Sequence, residues 1–160
     1  MRYEGALLVV KDVEVSRRFY QDLLALEIVM DLGDYVVFKG FCLLSEALWN
    51  EFNNGAGRPA HYGHNASQLA FEEEDIYSFL EHFKSFENIE ILCPLKEYPW
   101  GQRSFRFYDP DGHVLEVGED MKVVVKRFLK GGLSFEETVE KTMYPPDFVK
   151  SCLNEIEEAI

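Results

Sequence analysis

The chain of 160 residues is short of basic residues and of cysteine. It carries 16 Lys and Arg side chains against 29 Asp and Glu, a formal net charge of −13. A field of that sign repels nucleic acid and anionic lipid and favours neutral or cationic partners. Cys42, Cys93 and Cys152 show no paired spacing and sit in or beside apolar runs. We therefore expect buried free thiols in a reducing compartment instead of disulfides.

Long apolar runs and familiar catalytic motifs are absent as well. No stretch approaches 18 apolar residues, and charges at Glu4, Lys11 and Asp12 surround a very short apolar run, so neither a transmembrane helix nor a signal peptide is predicted. The sequence has no phosphate-binding loop, Rossmann fingerprint or nucleophile motif. Since 47% of the residues are hydrophobic, the chain can form its own core. We expect a cytoplasmic protein with no membrane partner.

An internal repeat emerges when Asp12 is aligned with Asp75. Each aspartate follows an apolar strand, at 6–10 or 68–71, and begins a helix with one apolar face. Three more strands follow in each half, predicted at 27–30, 35–39 and 41–45, and again at 89–92, 104–108 and 113–118. The sequence therefore predicts an α+β fold of two βαβββ modules, at residues 1–49 and 66–119.

The two modules are joined and followed by segments of different character. Residues 50–65 are rich in Gly and Asn with little periodicity, which predicts a linker or lid. Residues 120–160 predict short helices: the first begins at Asp120 and ends at Gly131, Ser134 opens a capping box for the second, and the third begins at Pro145. We expect an amphipathic helical hairpin that docks on the cup formed by the modules, covers its edge or contacts another chain.

The tail from residue 132 to residue 149 also resembles a helix-turn-helix of the kind found in regulators. A DNA-reading helix would begin with basic and amide side chains, whereas this one offers Pro145, Pro146, Asp147 and Lys150. Residues 120–160 carry six bases against eight acids. We therefore do not expect the tail to bind nucleic acid.

Several short motifs in residues 1–119 are distinctive. They are Leu8-Val9-Val10-Lys11-Asp12 with Ser16, Phe19 and Tyr20, then Pro99-Trp100-Gly101-Gln102-Arg103, Tyr108-Asp109-Pro110-Asp111-Gly112-His113 and Leu115-Glu116-Val117. With these motifs the region resembles the glyoxalase and bleomycin-resistance superfamily, also called vicinal oxygen chelate proteins. The resemblance implies an open sheet that curls around a cup for a small ligand. It also implies one divalent metal ion in many members, and a homodimer that completes the cup.

The metal ligands of that superfamily fall, by the resemblance, on Gly5, Leu44, Gln68 and Glu116. Only Gln68 and Glu116 have donor atoms, a carbonyl oxygen and a carboxylate that suit hard or borderline cations, and they are the predicted metal ligands. Catalytic sites generally have three or more protein ligands, so Gly5 and Leu44 argue against a metal. Glu46, two residues beyond Leu44, or a partner chain could supply more.

Glu116 is also the predicted catalytic residue, as a metal ligand or as a base whose pKa is tuned by burial. The alternative is a structural carboxylate paired with Arg103. Pairing across the turn at residues 109–112 would set Phe105 opposite Glu116 and place Arg103 on the same face.

Other side chains are predicted to contact the substrate. Arg103 would bind a carboxylate or phosphate of the ligand, unless it is only a charged residue at the edge of the predicted site. An aromatic wall for a flat or cationic ligand is predicted from Trp100, Tyr98, Trp49 and Phe105, although about half of such residues are usually core. His61 and His64 are interpreted as surface loop residues, and His82 and His113 are given no catalytic role.

Three functions remain open. The leading hypothesis is a glyoxalase-like lyase or isomerase acting on a small molecule with adjacent oxygens, which a divalent metal would polarise. The second is a metal-free binding protein of the bleomycin-resistance type, in which an acidic, aromatic cup sequesters a cationic compound. The third is a transcriptional regulator that senses a ligand in the cup, which the composition of the tail disfavours.

Overall fold

The structure is a computed structural model that describes residues 1–56 and 59–158. These ranges contain two βαβββ modules and a helical tail, which confirms the predicted α+β fold. No helix among these residues has both the length and the apolar character needed to cross a membrane. The chain divides into two compact units that interleave along the sequence: Met1–Gln68, His82–Glu90 and Tyr108–Val114 form the first, and Leu69–Glu81, Ile91–Phe107 and Leu115–Ile160 form the second.

The first module consists of β1 (Ala6–Val10), α1 (Val13–Leu24), β2 (Ile28–Asp31), β3 (Tyr35–Phe38) and β4 (Phe41–Ser45). Its strands form one sheet in the order β1-β4-β3-β2, with β1 parallel to β4 and the other neighbours antiparallel. Asp12 caps α1 as predicted, because its carboxylate accepts hydrogen bonds from the backbone N–H groups of Glu14 and Val15.

One face of this sheet forms the core of the first unit with α1. The Tyr20 ring of α1 lies 5.8 Å from the ring of Phe38 and 5.0 Å from that of Phe41. Val10 and Leu43 are fully buried on the same face of the sheet. Each such side chain contributes about 1.5 to 3 kcal/mol through burial of apolar surface, so the alternation of the strands fixes which face meets the helix.

A helix that the sequence analysis did not predict follows β4. This is α2 (Glu46–Phe52), and the Ser45 hydroxyl caps it by accepting the Leu48 N–H at 3.1 Å. The linker predicted at residues 50–65 therefore begins inside a helix. The Ser45-Glu46 cap was the available signal, but two turns are too short for helical periodicity to be recognised. Gly57 and Arg58 of that predicted linker lie outside the described residues.

The second module consists of β5 (Gln68–Glu73), α3 (Ile76–Phe83), β6 (Ile91–Glu97), β7 (Arg103–Tyr108) and β8 (Val114–Glu119). Its strands form a second sheet in the order β5-β8-β7-β6. The predicted strand at 89–92 is wrong in its limits, because β6 continues through Pro94 to Glu97. Proline is tolerated there because β6 is an edge strand, and its register with β7 shifts between Cys93 and Lys96.

The tail forms three helices: α4 (Met121–Lys130), α5 (Phe135–Thr142) and α6 (Pro146–Glu157). The predicted starts are confirmed: Asp120 caps α4, Ser134 and Glu137 form a reciprocal capping box on α5, and Pro146 is the first residue of α6. The helices share a small core around Val125, Val149 and Cys152. The absence of DNA binding by this tail stays a prediction.

The three cysteines are free thiols. Cys152 is fully buried in the tail core, as predicted. The prediction of burial is wrong for Cys42 and Cys93, which are half-buried.

Candidate functional site

Glu116 of β8 forms an ion pair with the guanidinium of Arg106 in β7. Only 16% of the Glu116 side chain and 25% of the Arg106 side chain are exposed. The same guanidinium donates a hydrogen bond to the hydroxyl oxygen of Tyr98. Burial opposes the charge of Arg106, but the Tyr98 hydroxyl and the Glu116 carboxylate together raise the pKa of Arg106 above its ordinary value. Glu116 therefore has a permanently charged partner on the neighbouring strand.

This pairing corrects the predicted register of the hairpin. The Asp109 N–H donates to the His113 carbonyl at 3.0 Å, so the loop contains only Pro110, Asp111 and Gly112. Gly112 adopts φ +84°, the left-handed conformation that commonly ends a three-residue loop. The predicted register, which sets Phe105 opposite Glu116 across a four-residue turn, is wrong by one position, because Arg106 lies opposite Glu116. A one-residue change moves a different set of side chains onto each face.

Phe105 lies in the core and not beside Glu116. Its ring stacks on Phe107 at 5.2 Å and lies 5.8 Å from Phe79 of α3, with 1% of the residue exposed. Phe105 and Phe107 therefore occupy the helix-facing side of β7, whereas Ser104 and Arg106 alternate onto the other side. The prediction that Phe105 contacts a ligand has no support from this packing.

Two aromatic rings lie next to the ion pair. Tyr98 and Trp100 are stacked, with ring centroids 4.8 Å apart and an angle of 19° between the planes. The Arg106 guanidinium and the Lys96 ammonium lie 5.6 and 4.8 Å from the Tyr98 centroid. The Trp100 indole N–H donates to Gln102 at 3.1 Å, which fixes the ring. Glu116, Arg106, Tyr98 and Trp100 thus form one cluster in the second unit, which we call the Glu116 cluster.

Arg103, the predicted substrate clamp, is occupied by acidic side chains of the protein. Its guanidinium lies 3.1 Å from Glu97 and 3.4 Å from the buried Glu119, and its backbone N–H donates to Glu119 at 2.9 Å. The guanidinium also lies 5.7 Å from the Tyr77 ring. A role for Arg103 in binding substrate stays a prediction. Arg106 is the arginine that contacts Glu116, and only the correct hairpin register could have identified it.

Helix α4 packs on the loop that carries Trp100. Arg127 forms an ion pair with Glu119 at 2.7 Å and also donates to the Gly101 carbonyl. The ring of Phe128 lies so close to Gly101 that a Cβ atom there would come within 2.2 Å of Phe128 Cζ. Within the second unit, α4 therefore helps to position the Trp100 loop, and docking of the helical hairpin as a whole stays a prediction.

Few donor atoms lie at the four positions where the resemblance implies metal ligands. Gly5 adopts φ +140°, and a Cβ atom at this position would lie 2.6 Å from the Gly40 carbonyl oxygen, so no donor side chain fits. Leu44 is buried and apolar, and Gln68 is exposed at the start of β5. The Glu116 carboxylate is engaged by Arg106. Within residues 1–56 and 59–158, no group of three or more His, Cys, Asp or Glu side chains could hold a metal ion. These donors do not fit a metal centre.

Trp49, the remaining predicted contact, belongs to the first unit. It lies on α2 and lines a cavity of about 320 Å³ with Tyr62, His61, His64 and His113. Sequence reasoning treated these histidines as surface or structural residues. The signal that it missed is Asp109, which lies four residues before His113 and whose side chain contacts the His113 ring only because of the hairpin geometry.

Comparisons with solved structures agree with this architecture. A protein of unknown function from Agrobacterium tumefaciens strain C58 is 37% identical, with a TM-score of 0.67 over 75% of this chain and 94% of its own. A lactoylglutathione lyase from Agrobacterium tumefaciens is 23% identical, with a TM-score of 0.57 over 73% of this chain and 92% of its own. A glyoxalase/bleomycin resistance protein/dioxygenase from Nocardioides is 22% identical, with a TM-score of 0.55 over 74% and 83%. The last two similarities establish the fold alone.

Comparison with protein families gives the classification. None of the curated proteins matches the chain. The glyoxalase-like domain family matches residues 3–122, which include both modules and the first residues of α4. The match covers the Glu116 cluster and leaves out most of the tail. This confirms the resemblance found in the sequence motifs, and the chain belongs to the glyoxalase-like domain family.

Proposed function

We propose that this protein is a small-molecule binding protein that holds a flat, cationic ligand at the Glu116 cluster without a resident metal ion. The observation that carries the proposal is the ion pair of Arg106 with Glu116 next to the stacked rings of Tyr98 and Trp100. A carboxylate already paired with an arginine is a poor metal ligand. An organic cation differs from a metal ion because the aromatic rings also stabilise it, so it can share a carboxylate that already has an arginine partner.

The charge of the chain supports a cationic ligand. A net charge of −13 attracts cations over long range. In the ligand-free protein, Arg106 neutralises Glu116, which avoids the large cost of an unpaired and mostly buried carboxylate. A bound cation would share or replace that partner, while Tyr98 and Trp100 supply the apolar surface. Because exchange of partners costs free energy, we expect moderate affinity.

The test is binding of a small planar cation, N-methylquinolinium, measured by quenching of Trp100 fluorescence in a Trp49→Phe background. We expect saturable quenching, and at least tenfold weaker binding to Glu116→Gln, which corresponds to about 1.4 kcal/mol. Glu97→Gln is the matched control, because Glu97 is half-exposed and contacts Arg103 instead of Arg106. Neutral quinoline should bind more weakly than the cation. Equal binding by Glu116→Gln and the parent protein would refute the proposal.

A second candidate is a glyoxalase-like lyase or isomerase acting on a molecule with adjacent oxygens. It is favoured by one observation: a mostly buried carboxylate lies beside an arginine that could hold a developing oxyanion. Metal content separates the two candidates. About one equivalent of a divalent metal in protein purified without chelator, lost in Glu116→Ala, would favour the enzyme and would be followed by assays with glyoxalase-type substrates.

We also infer a homodimer, because the superfamily resemblance implies that a second chain often completes the ligand site. Sedimentation equilibrium should then give twice the 18.6 kDa mass of one chain. A single species of 18.6 kDa at the concentrations used for binding would exclude the dimer. The free cysteines favour a reducing compartment, and we infer a cytoplasmic location from them.

A further inference from the structure

A buried aspartate in the first unit orients an imidazole that the proposed function does not use. The side chain of Asp109 is fully shielded from solvent, and its Oδ2 atom accepts hydrogen bonds from the Tyr20 hydroxyl at 2.9 Å and from His113 Nδ1 at 2.8 Å. Its Oδ1 atom accepts the backbone N–H groups of Asp111 and His113 at 3.0 and 2.8 Å. The carboxylate and the imidazole are therefore held in fixed positions.

This contact decides which nitrogen of His113 is available to a ligand. A carboxylate can only accept, so Nδ1 carries the proton of the neutral ring and Nε2 has a free lone pair. The same arrangement orients histidines in catalytic and metal sites of many proteins. Within the described part of the chain, His113 Nε2 takes part in no hydrogen bond. An unused acceptor of defined orientation is the kind of group that recognises a hydrogen-bond donor.

His113 lines the cavity of about 320 Å³ that also contains Trp49, and this volume is typical of small-ligand sites. Leu7 and Val9 of β1 give the cavity an apolar side, and Trp49 and Tyr62 give it aromatic walls. His61 and His64 line it too, yet within the described ranges they form no metal-binding group with His113. The lining therefore suits a planar organic molecule better than an ion.

Tyr62 is held rigidly as one of the walls. Its hydroxyl donates to Glu46 at 3.1 Å, and its ring meets the His113 ring edge to face, with centroids 6.3 Å apart. The Lys11 ammonium lies 4.5 Å from the Tyr62 centroid. Burial and the nearby Glu46 raise the pKa of Tyr62 well above its ordinary value, so the ring stays neutral at physiological pH. A wall fixed in this way loses little entropy when a ligand stacks on it.

We propose that this cavity is a second ligand site, which takes a small phenol: the aromatic ring packs between Trp49 and Tyr62, and the hydroxyl donates a hydrogen bond to Nε2 of His113. The carboxylate of Asp109 supports this bond, because any positive charge that the imidazole gains is balanced next to it. An anionic ligand is disfavoured by Asp109 and Glu46. The site consists of first-unit residues alone, so it is independent of the Glu116 cluster and goes beyond the function proposed above.

The test uses 4-methylphenol, which stays neutral at neutral pH as tyrosine does, and, as a probe without a donor, 4-methylanisole. Binding is followed by the change in Trp49 fluorescence in a Trp100→Phe background. We expect 4-methylphenol to bind the parent protein and His82→Asn equally well, because His82 lies on α3 and contacts the Asp22 carbonyl. His113→Asn should weaken binding about tenfold, since asparagine cannot present the same acceptor; this corresponds to about 1.4 kcal/mol. 4-Methylanisole should bind all three proteins with the lower affinity.

Two results would overturn the proposal. One is the same affinity for 4-methylphenol in His113→Asn and the parent protein. The other is the same affinity of the parent protein for 4-methylphenol and 4-methylanisole, which would show that no donor is recognised. If His113→Asn unfolds, the comparison of the two probes on the parent protein still decides the question. Failure here leaves binding of N-methylquinolinium at the Glu116 cluster unaffected, so the two proposals fail separately.

Discussion

Substitution of Gly101 by alanine tests how closely the helical tail packs on the Trp100 loop. Gly101 adopts φ +87°, a conformation that costs an L-residue about 1 to 2 kcal/mol. The added Cβ atom would lie 2.2 and 2.3 Å from Cζ and Cε2 of Phe128, far inside van der Waals contact. Relief of such overpacking typically costs about 1 to 3 kcal/mol. We therefore expect Gly101→Ala to lower the free energy of unfolding by about 2 to 5 kcal/mol.

Gly132→Ala is the matched control for backbone strain. Gly132 lies in the same unit with φ +98°, and a Cβ atom there would meet nothing within 4 Å. Gly132→Ala should therefore lower the free energy of unfolding by only about 1 to 2 kcal/mol. Equilibrium urea unfolding followed by circular dichroism measures both values, and Trp100 fluorescence in a Trp49→Phe background reports on displacement of the loop.

A double-mutant cycle isolates the contact with Phe128. In a Phe128→Ala background the clash is gone, so Gly101→Ala should cost no more than Gly132→Ala. The reasoning is refuted if Gly101→Ala is no more destabilising than Gly132→Ala in the parent protein. It is refuted equally if Phe128→Ala leaves the cost of Gly101→Ala unchanged.

Three more predictions concern the contribution of buried polar side chains to stability. Tyr20→Phe removes a donor to the buried Asp109 carboxylate, so urea unfolding should show a loss of about 1 to 3 kcal/mol, and no loss would contradict the hydrogen bond. Burial and the charge of Asp109 raise the pKa of Tyr20 well above its ordinary value. Stability should therefore be complete below about pH 10 and fall above it, where the unfolded chain releases this proton, and Tyr20→Phe should reduce that alkaline loss. Glu119→Gln should lower the free energy of unfolding by about 1 to 3 kcal/mol, because the Glu119 carboxylate is buried against partly exposed arginines, including Arg127. The control Glu97→Gln should lower it by less than about 1 kcal/mol, because Glu97 is half-exposed. Equal losses in the two variants would contradict a stabilising role for the buried pair.

The elements of the fold could be read from local patterns. Asp12 and Asp75 each follow an apolar strand and begin a helix, and both cap those helices through their side chains. The Ser134 capping box is equally local. Such signals are predictable because the interacting atoms lie within four residues of one another in the chain. The short helix α2 was missed because two turns are too few for helical periodicity to be recognised. The passage of β6 through Pro94 was missed because pairing with β7, and not a local pattern, supports it.

The same distinction between local patterns and tertiary contacts applies to the candidate site. The sequence by itself determined that Glu116 lies on a strand beside the Trp100 motif, and that the chain resembles the glyoxalase-like family. Only the tertiary structure decided that Arg106, and not Arg103, faces Glu116, because one hydrogen bond from Asp109 to the His113 carbonyl sets the register of the whole hairpin. It also decided that His113 faces a cavity with Trp49. Residues so far apart in sequence meet only when strands pair and helices pack, and no local periodicity records that arrangement.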